Sequence, residues 1–191
     1  MKFIKFFILV AVCAGSTFFL YNKIKPHIGK PLPILGKLDD FALTTQEGTS
    51  ASLESFKGST LLVNFIFTRC KGPCPLVTKK MTALQGKLKD LSHFKHISIS
   101  MEPSFDTPEV LTQYGKKHQA DFSRWTFLTG DLKEIIKLAK SSFKLPAGQD
   151  PDMHSTRMVL IDIKGQIRGY YDSFDEKDLA KLEKDARKLA G

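Results

Sequence analysis

The stretch Leu61-Leu-Val-Asn-Phe-Ile-Phe-Thr-Arg-Cys70-Lys-Gly-Pro-Cys74-Pro75 decides how the rest of this 191-residue chain is read. Leu61 to Phe67 is a nearly unbroken apolar run rich in aromatic and branched residues, the pattern of a buried strand. Thr68-Arg69 ends it. Cys70 and Cys74 follow four positions apart in a loop containing Gly72 and Pro73, and Pro75 suits the first turn of a helix. Leu76, Val77, Met81, Leu84, Leu88 and Leu91 then recur at helical spacing, which predicts a helix over Pro75–Leu91. Both sulfurs therefore fall at a helix mouth, where backbone N–H groups and the helix dipole favour thiolate over thiol.

Working outward, Thr60–Phe67 reads as the central strand, preceded by a hairpin from Phe41–Thr45 to Ser50–Leu53 and a short turn over Leu53–Gly58. Downstream come a strand at His96–Met101 and a helix from Asp106-Thr107-Pro108 to about His118. A strand at Trp125–Leu128 and a helix over Leu132–Ser142 follow. Arg157–Asp162 and Gln166–Tyr171 form two strands joined by a tight turn at Ile163-Lys-Gly165, and Ser173 or Asp175 caps a final helix to Leu189. Alternating strands and helices imply an α/β sheet with parallel strands at its centre and helices on both faces. A dithiol at the first strand-to-helix junction of that unit points to a thioredoxin-like fold, here with an N-terminal β-hairpin extension.

The N-terminus is different in kind. Lys2 and Lys5 precede an uncharged apolar run to Tyr21, and as a helix Phe3–Tyr21 spans about 28 Å, enough for a bilayer core. Residues 1–22 are thus expected to be a membrane anchor or signal segment, with a retained anchor favoured because the apolar run continues past Ala14-Gly15-Ser16. Val10-Ala-Val-Cys13 loosely resembles a lipoprotein processing site, with Val12 where a small residue is usual. Residues 23–36, carrying Pro26, Pro31 and Pro33, read as a tether, leaving 37–191 as the folded domain. An Arg-rich transit peptide is absent, which argues for a bacterium, and the chemistry of the cysteine pair is expected to put the domain on the periplasmic side of its inner membrane. The formal net charge of +9 is mostly Lys without aromatic interleaving, which reads as a solvated surface and excludes a nucleic-acid module.

With Cys13 in the apolar segment, the domain has only Cys70 and Cys74, too few for a disulfide scaffold and the right number for a redox or metal pair. Three intervening residues let the thiols close a disulfide or diverge around one soft ion, and Cu(I) suits two thiolates with an imidazole as third ligand. Of the histidines, His27 lies in the tether, His93 and His96 flank a strand start, and His118 ends a helix. His154, in Asp150-Pro-Asp-Met-His-Ser-Thr156, precedes a core strand, and that loop approaches the dithiol in a thioredoxin-like fold. Asp152 or Ser155 is placed to orient its ring, and Met153 offers either a thioether to the site or, as the favoured reading, packing at the rim or in the core.

Phe67-Thr-x-Cys-x3-Cys-Pro75, Ser100-Met-Glu-Pro-x2-Asp-Thr-Pro108 and Asp152-x-His-Ser before a strand together resemble the Sco family (synthesis of cytochrome c oxidase, also called SenC), over roughly Gly36 to Ala190. The resemblance implies that Cys70, Cys74 and His154 are ligands of copper, as Cu(I) or Cu(II). It also implies a membrane-anchored protein that helps deliver copper to the CuA site of cytochrome c oxidase or keeps that site's cysteines reduced. The implied partner is the CuA-bearing subunit, or another exported copper or thiol protein. Four positions depart from the family pattern: Lys71-Gly72 replaces Pro-Asp, Glu102 replaces an Asp, and Met153 stands where a small or β-branched residue is familiar. Two other functions fit the same residues. One is a thiol–disulfide oxidoreductase with Cys70 attacking and Cys74 resolving. The other is a thiol peroxidase, which draws on Thr68 beside Cys70.

Overall fold

The computed structural model describes residues 31–191. The expected anchor at residues 1–22, most of the tether, Cys13 and His27 lie outside them. Among the described residues no helix is long and apolar enough to cross a membrane.

Eight strands form one sheet: β1 Gly36–Lys37, β2 Leu43–Thr45, β3 Ser50–Ala51, β4 Thr60–Ile66, β5 Phe94–Ser100, β6 Trp125–Thr129, β7 Met158–Ile161 and β8 Gln166–Tyr171. Their order is β1-β8-β7-β4-β5-β6-β2-β3. β4, β5 and β6 run parallel in the middle, and β7 pairs antiparallel to β4 through Leu62↔Leu160. The hairpin β2–β3 extends the sheet beyond β6 by pairing Thr44 with Thr129. Four helices complete the fold: α1 Cys74–Lys87, α2 Pro108–Lys117, α3 Leu132–Lys137 and α4 Glu176–Ala190. This is the expected α/β, thioredoxin-like arrangement.

The alternation within β4 sorts the core into two layers. Leu61, Val63 and Phe65 join Ile97, Ile99 and Val159 in a cluster closed by Ile135 and Leu138. Leu62, Asn64 and Ile66 face the other way, toward α1, α2 and α4. Those helices are tied together by a Thr78–Tyr114 hydroxyl contact at 2.8 Å and a Lys87–Glu183 ion pair at 3.2 Å. Every residue of β4 is buried, and each aliphatic side chain so covered contributes about 1.5–3 kcal/mol. The strand that delivers the cysteines is thus covered on both faces and paired on both edges.

Four local expectations are corrected. The helix foreseen over Leu132–Ser142 is α-helical only to Lys137 and then widens into a π turn over Leu138–Ser142. The wider turn keeps Leu138, Ala139 and Phe143 buried while Ser142 donates to Asp39 at 2.8 Å. Asp175, not Ser173, caps α4, accepting from Lys177 N–H at 2.8 Å, because Ser173 is itself buried. Leu76, expected on the buried stripe of α1, is 45% exposed beside Cys74. β1, unforeseen in a proline-rich segment, adds a short strand against β8 through Gly36↔Ile167.

Candidate functional site at the dithiol loop

β4 ends at Ile66, and the loop Phe67–Pro73 carries the chain to α1, whose first residue is Cys74. The loop is pinned at its base by a buried carboxylate. Asp106 is fully covered and accepts from the Thr68 hydroxyl at 2.5 Å, the Thr68 N–H at 3.2 Å and the Ser100 hydroxyl at 2.5 Å. Burial raises the Asp106 pKa above the usual carboxylate range, against these hydrogen bonds, which lower it. From the sequence Asp106 reads as part of a helix start and of the family motif, with no partner for its carboxylate. The true cap of α2 is Thr107, whose hydroxyl accepts from Val110 N–H at 3.4 Å. Two capping residue types before one helix were the available signal that one of them served elsewhere. Thr68, invoked for a peroxidase, spends its hydroxyl on Asp106 instead.

A second clamp lies on the surface. Arg69 pairs with Glu102 through two guanidinium nitrogens, one at 3.1 Å, and its guanidinium carbon sits 4.2 Å from the centre of the Phe105 ring. Arg69, Glu102, Phe67, Lys71, Pro151 and Asp152 line an open recess next to the cysteines.

Both cysteines are reduced and buried, Cys70 at 8% exposure and Cys74 at 1%, and they cluster with Phe67. The Gly72 N–H approaches Cys70 Sγ at 3.4 Å. At Cys74 the expected stabilisation of thiolate by the helix mouth is outweighed. Burial first, and then the hydrogen bond with Cys70, push its pKa up to about 12, so the buried sulfur is a neutral thiol in the metal-free protein.

The histidines separate cleanly. His93 is exposed, His118 is half-buried against Tyr114 at the end of α2, and His96 is buried between Phe94 and Trp125. His154 reaches the dithiol: its Nε2 lies 3.5 Å from Cys74 Sγ. A 3₁₀ turn over Pro151–Met153, capped by Asp150 Oδ1 accepting from Asp152 N–H at 3.0 Å, delivers the ring. Phe67 supports it edge-on at 5.7 Å. His154 Nδ1 stands 3.0 Å from the carbonyl oxygen of Ser155. A carbonyl only accepts, so Nδ1 carries the proton and Nε2 turns its lone pair toward Cys74. Ser155 therefore orients the ring through its backbone and not its hydroxyl, which accepts from Arg157 N–H at 3.1 Å. Asp152, the other expected orienter, is exposed and influences the ring only through its charge. Burial lowers the His154 pKa, keeping the imidazole neutral.

Two thiols and a neutral imidazole nitrogen are the donor set of a soft metal ion. Among the described residues, no three His, Cys, Asp or Glu side chains already stand as a closed ligand set. Cys74 touches both Cys70 and His154, so the three potential ligands are joined through its sulfur.

Comparison with known proteins places this geometry. The model of the SCO1/SenC family matches residues 36–190. The SCO1 protein homolog of Bacillus subtilis is 35% identical over 149 residues, covering 75% of this chain and 77% of that protein. Among solved structures, BsSco is described as a member of the Sco family of cytochrome c oxidase assembly proteins with a disulfide switch. It superposes with a TM-score of 0.75 at 31% identity, covering 83% of this chain and 96% of its own. Bradyrhizobium japonicum ScoI, solved with copper bound, superposes with a TM-score of 0.62 at 25% identity, covering 78% and 98%. A family match that runs from the first strand to the end of the last helix, over the dithiol loop and the histidine turn alike, shows that the chain belongs to the SCO1/SenC family.

Proposed function

We propose that this chain is a copper-handling assembly factor for cytochrome c oxidase, with copper as its cargo and Cys70, Cys74 and His154 as the groups that hold it. The observation that carries the reading is the approach of His154 Nε2 to Cys74 Sγ at 3.5 Å, with the Ser155 carbonyl setting the tautomer that leaves Nε2 able to bind a metal. Copper bound to a family member from Bradyrhizobium, and the assembly role described for BsSco, support the same conclusion. The thiols lose their protons as the ion binds, so loading releases protons and opposes the burial that keeps Cys74 neutral. The acceptor is the CuA-bearing subunit, and the N-terminal segment holds the domain at the periplasmic face of a bacterial inner membrane.

The test is a competition titration of the reduced full chain, in mild detergent, with Cu(I) and Cu(II), alongside Cys70→Ser, Cys74→Ser and His154→Ala. One copper per chain is expected in the wild type, with affinity lost in each variant. Retention of full affinity in any one of them removes that residue from the site, and absence of copper binding in the wild type overturns the function.

A second reading draws on the unequal burial of the sulfurs. Cys70 is the more accessible and leads the loop, the placement of an attacking thiol, while Cys74 behind it is placed to resolve a mixed disulfide. In that role the protein reduces the cysteines of the acceptor before copper arrives. Reduction of a small disulfide by the copper-free chain, abolished by Cys70→Ser and blocked by bound copper, is the expected result.

A further inference from the structure

We propose that Met153 is the first ligand of incoming Cu(I), receiving the ion at the surface before it passes to Cys70, Cys74 and His154. The proposal rests on the copper reading above and concerns how the buried ligands are reached.

Cys70 and Cys74 are covered, so an ion approaching from solvent meets another group first. Met153 precedes His154 directly in the chain and is 62% exposed. It is not loose. Its N–H donates to Asp150 O at 3.0 Å within the capped 3₁₀ turn. Its side chain lies along Gly148, so closely that a Cβ added there would stand 3.2 Å from Met153 Cβ and 3.3 Å from its sulfur. The bare backbone of Gly148 is the seat on which the thioether rests. The same turn borders the recess that Phe67 and Lys71 share, and Phe67 is the residue that props the His154 ring. Pro151 and Asp152 of the turn and Phe67, Arg69 and Lys71 of the cysteine loop thus line one recess, with Met153 next in the chain after Asp152.

An exposed methionine in this place contributes little to the core, yet its chemistry suits an entry ligand. A thioether is soft, carries no proton to lose and forms no disulfide, so it takes Cu(I) whatever the pH or the redox state of the cysteines. Three rotatable bonds let the sulfur swing from Gly148 toward its neighbour. In the transfer, a bond from a Cu(I) chelate to its metal breaks as the bond from Met153 Sδ forms. A cysteine sulfur then displaces the thioether while the thiol proton passes to water, and copper remains Cu(I) throughout.

The decisive variant is Met153→Leu, which keeps the volume against Gly148 and removes only the sulfur. The reduced full chain in detergent is mixed with Cu(I)–bicinchoninate and copper uptake followed by stopped flow. Uptake about tenfold slower at unchanged final stoichiometry is expected, the low end of what losing a group beside the ligands costs a metal site. In parallel, protein carrying ¹³C-methyl methionine and Cys70→Ser with Cys74→Ser is titrated with Ag(I), where the Met153 methyl resonance should move. Equal uptake rates, or a Met153 methyl resonance that Ag(I) leaves in place, overturn the proposal. Wild-type protein that takes up no copper overturns the functional reading itself, and the entry role with it.

Discussion

Cys74 Sγ and His154 Nε2 stand 3.5 Å apart although eighty positions separate them in the chain. One is the first residue of a helix, the other follows a short turn before β7, and the β4–β7 pairing is what brings the two loops to one end of the sheet. His154→Ala removes the nitrogen while leaving the thiols in place. Copper affinity should fall by at least about a hundredfold, beyond the loss seen on removing an outer-shell partner, whereas disulfide formation should continue. Chelator competition and thiol counting after oxidation check the two halves separately.

The two sulfurs should react unequally in the metal-free protein. Cys74 is almost wholly covered and its pKa is pushed up to about 12, so very little thiolate is present at neutral pH. Iodoacetamide at pH 7.5 (about neutral, where a free thiol is still mostly protonated) should modify Cys70 first, leaving Cys74 until the fold opens. Peptide mass spectrometry after timed quenching reads the order, and simultaneous labelling would contradict it.

Asp106 is expected to matter for stability more than its place before a helix suggests. Asp106→Ala strands the Thr68 hydroxyl and N–H and the Ser100 hydroxyl inside the protein, a loss of about 3 kcal/mol. Asp106→Asn keeps one of the two acceptor oxygens and should cost less than the alanine. Urea unfolding of both variants measures the difference. Because the Thr68 contact anchors the dithiol loop, Asp106→Ala should also speed alkylation of Cys70.

His96 makes stability depend on pH. Burial first, and then the charge of Arg124, lower its pKa to about 3, and no protein group among the described residues hydrogen-bonds either ring nitrogen. Below the ordinary histidine value of 6.5 the unfolded chain takes up a proton that the folded one refuses. Stability from this group is therefore complete above that pH and is lost as pH falls toward 3, by up to about 1.4 kcal/mol per pH unit. His96→Leu should flatten that slope without lowering stability at pH 7 by more than about 1.5 kcal/mol, since an apolar side chain suits the site between Phe94 and Trp125. Denaturant midpoints between pH 4 and 7.5 (about 1.4 kcal/mol per unit at most from this group) supply the comparison.

Much of this was legible in the residues themselves. The apolar run ending at Phe67, the helical spacing after Pro75 and the Ile163-Lys-Gly165 turn each express a local period, and local periods survive without knowledge of the fold. The pairing of the dithiol loop with His154 also followed, because a strand-helix order of this kind leaves few topologies to consider. The Asp106 anchor was not legible, since an aspartate before Thr107-Pro108 reads as a cap until Thr68 and Ser100 are seen around it. Nor was the placement of Met153, which the sequence left between a thioether for the site and packing in the core or at the rim, and which the fold leaves exposed.

By itself, then, the sequence determined which elements form and which atoms are available: two thiols in one loop, a histidine before a core strand, and a buried strand to carry them. Tertiary structure alone decided the chemical state of those atoms. The cover over Cys74 keeps its thiol protonated, and the Ser155 carbonyl fixes which nitrogen of His154 faces it. The physical reason is that burial and hydrogen-bond direction are set by residues far apart in the chain, and no local pattern records what will surround an atom once the sheet has closed.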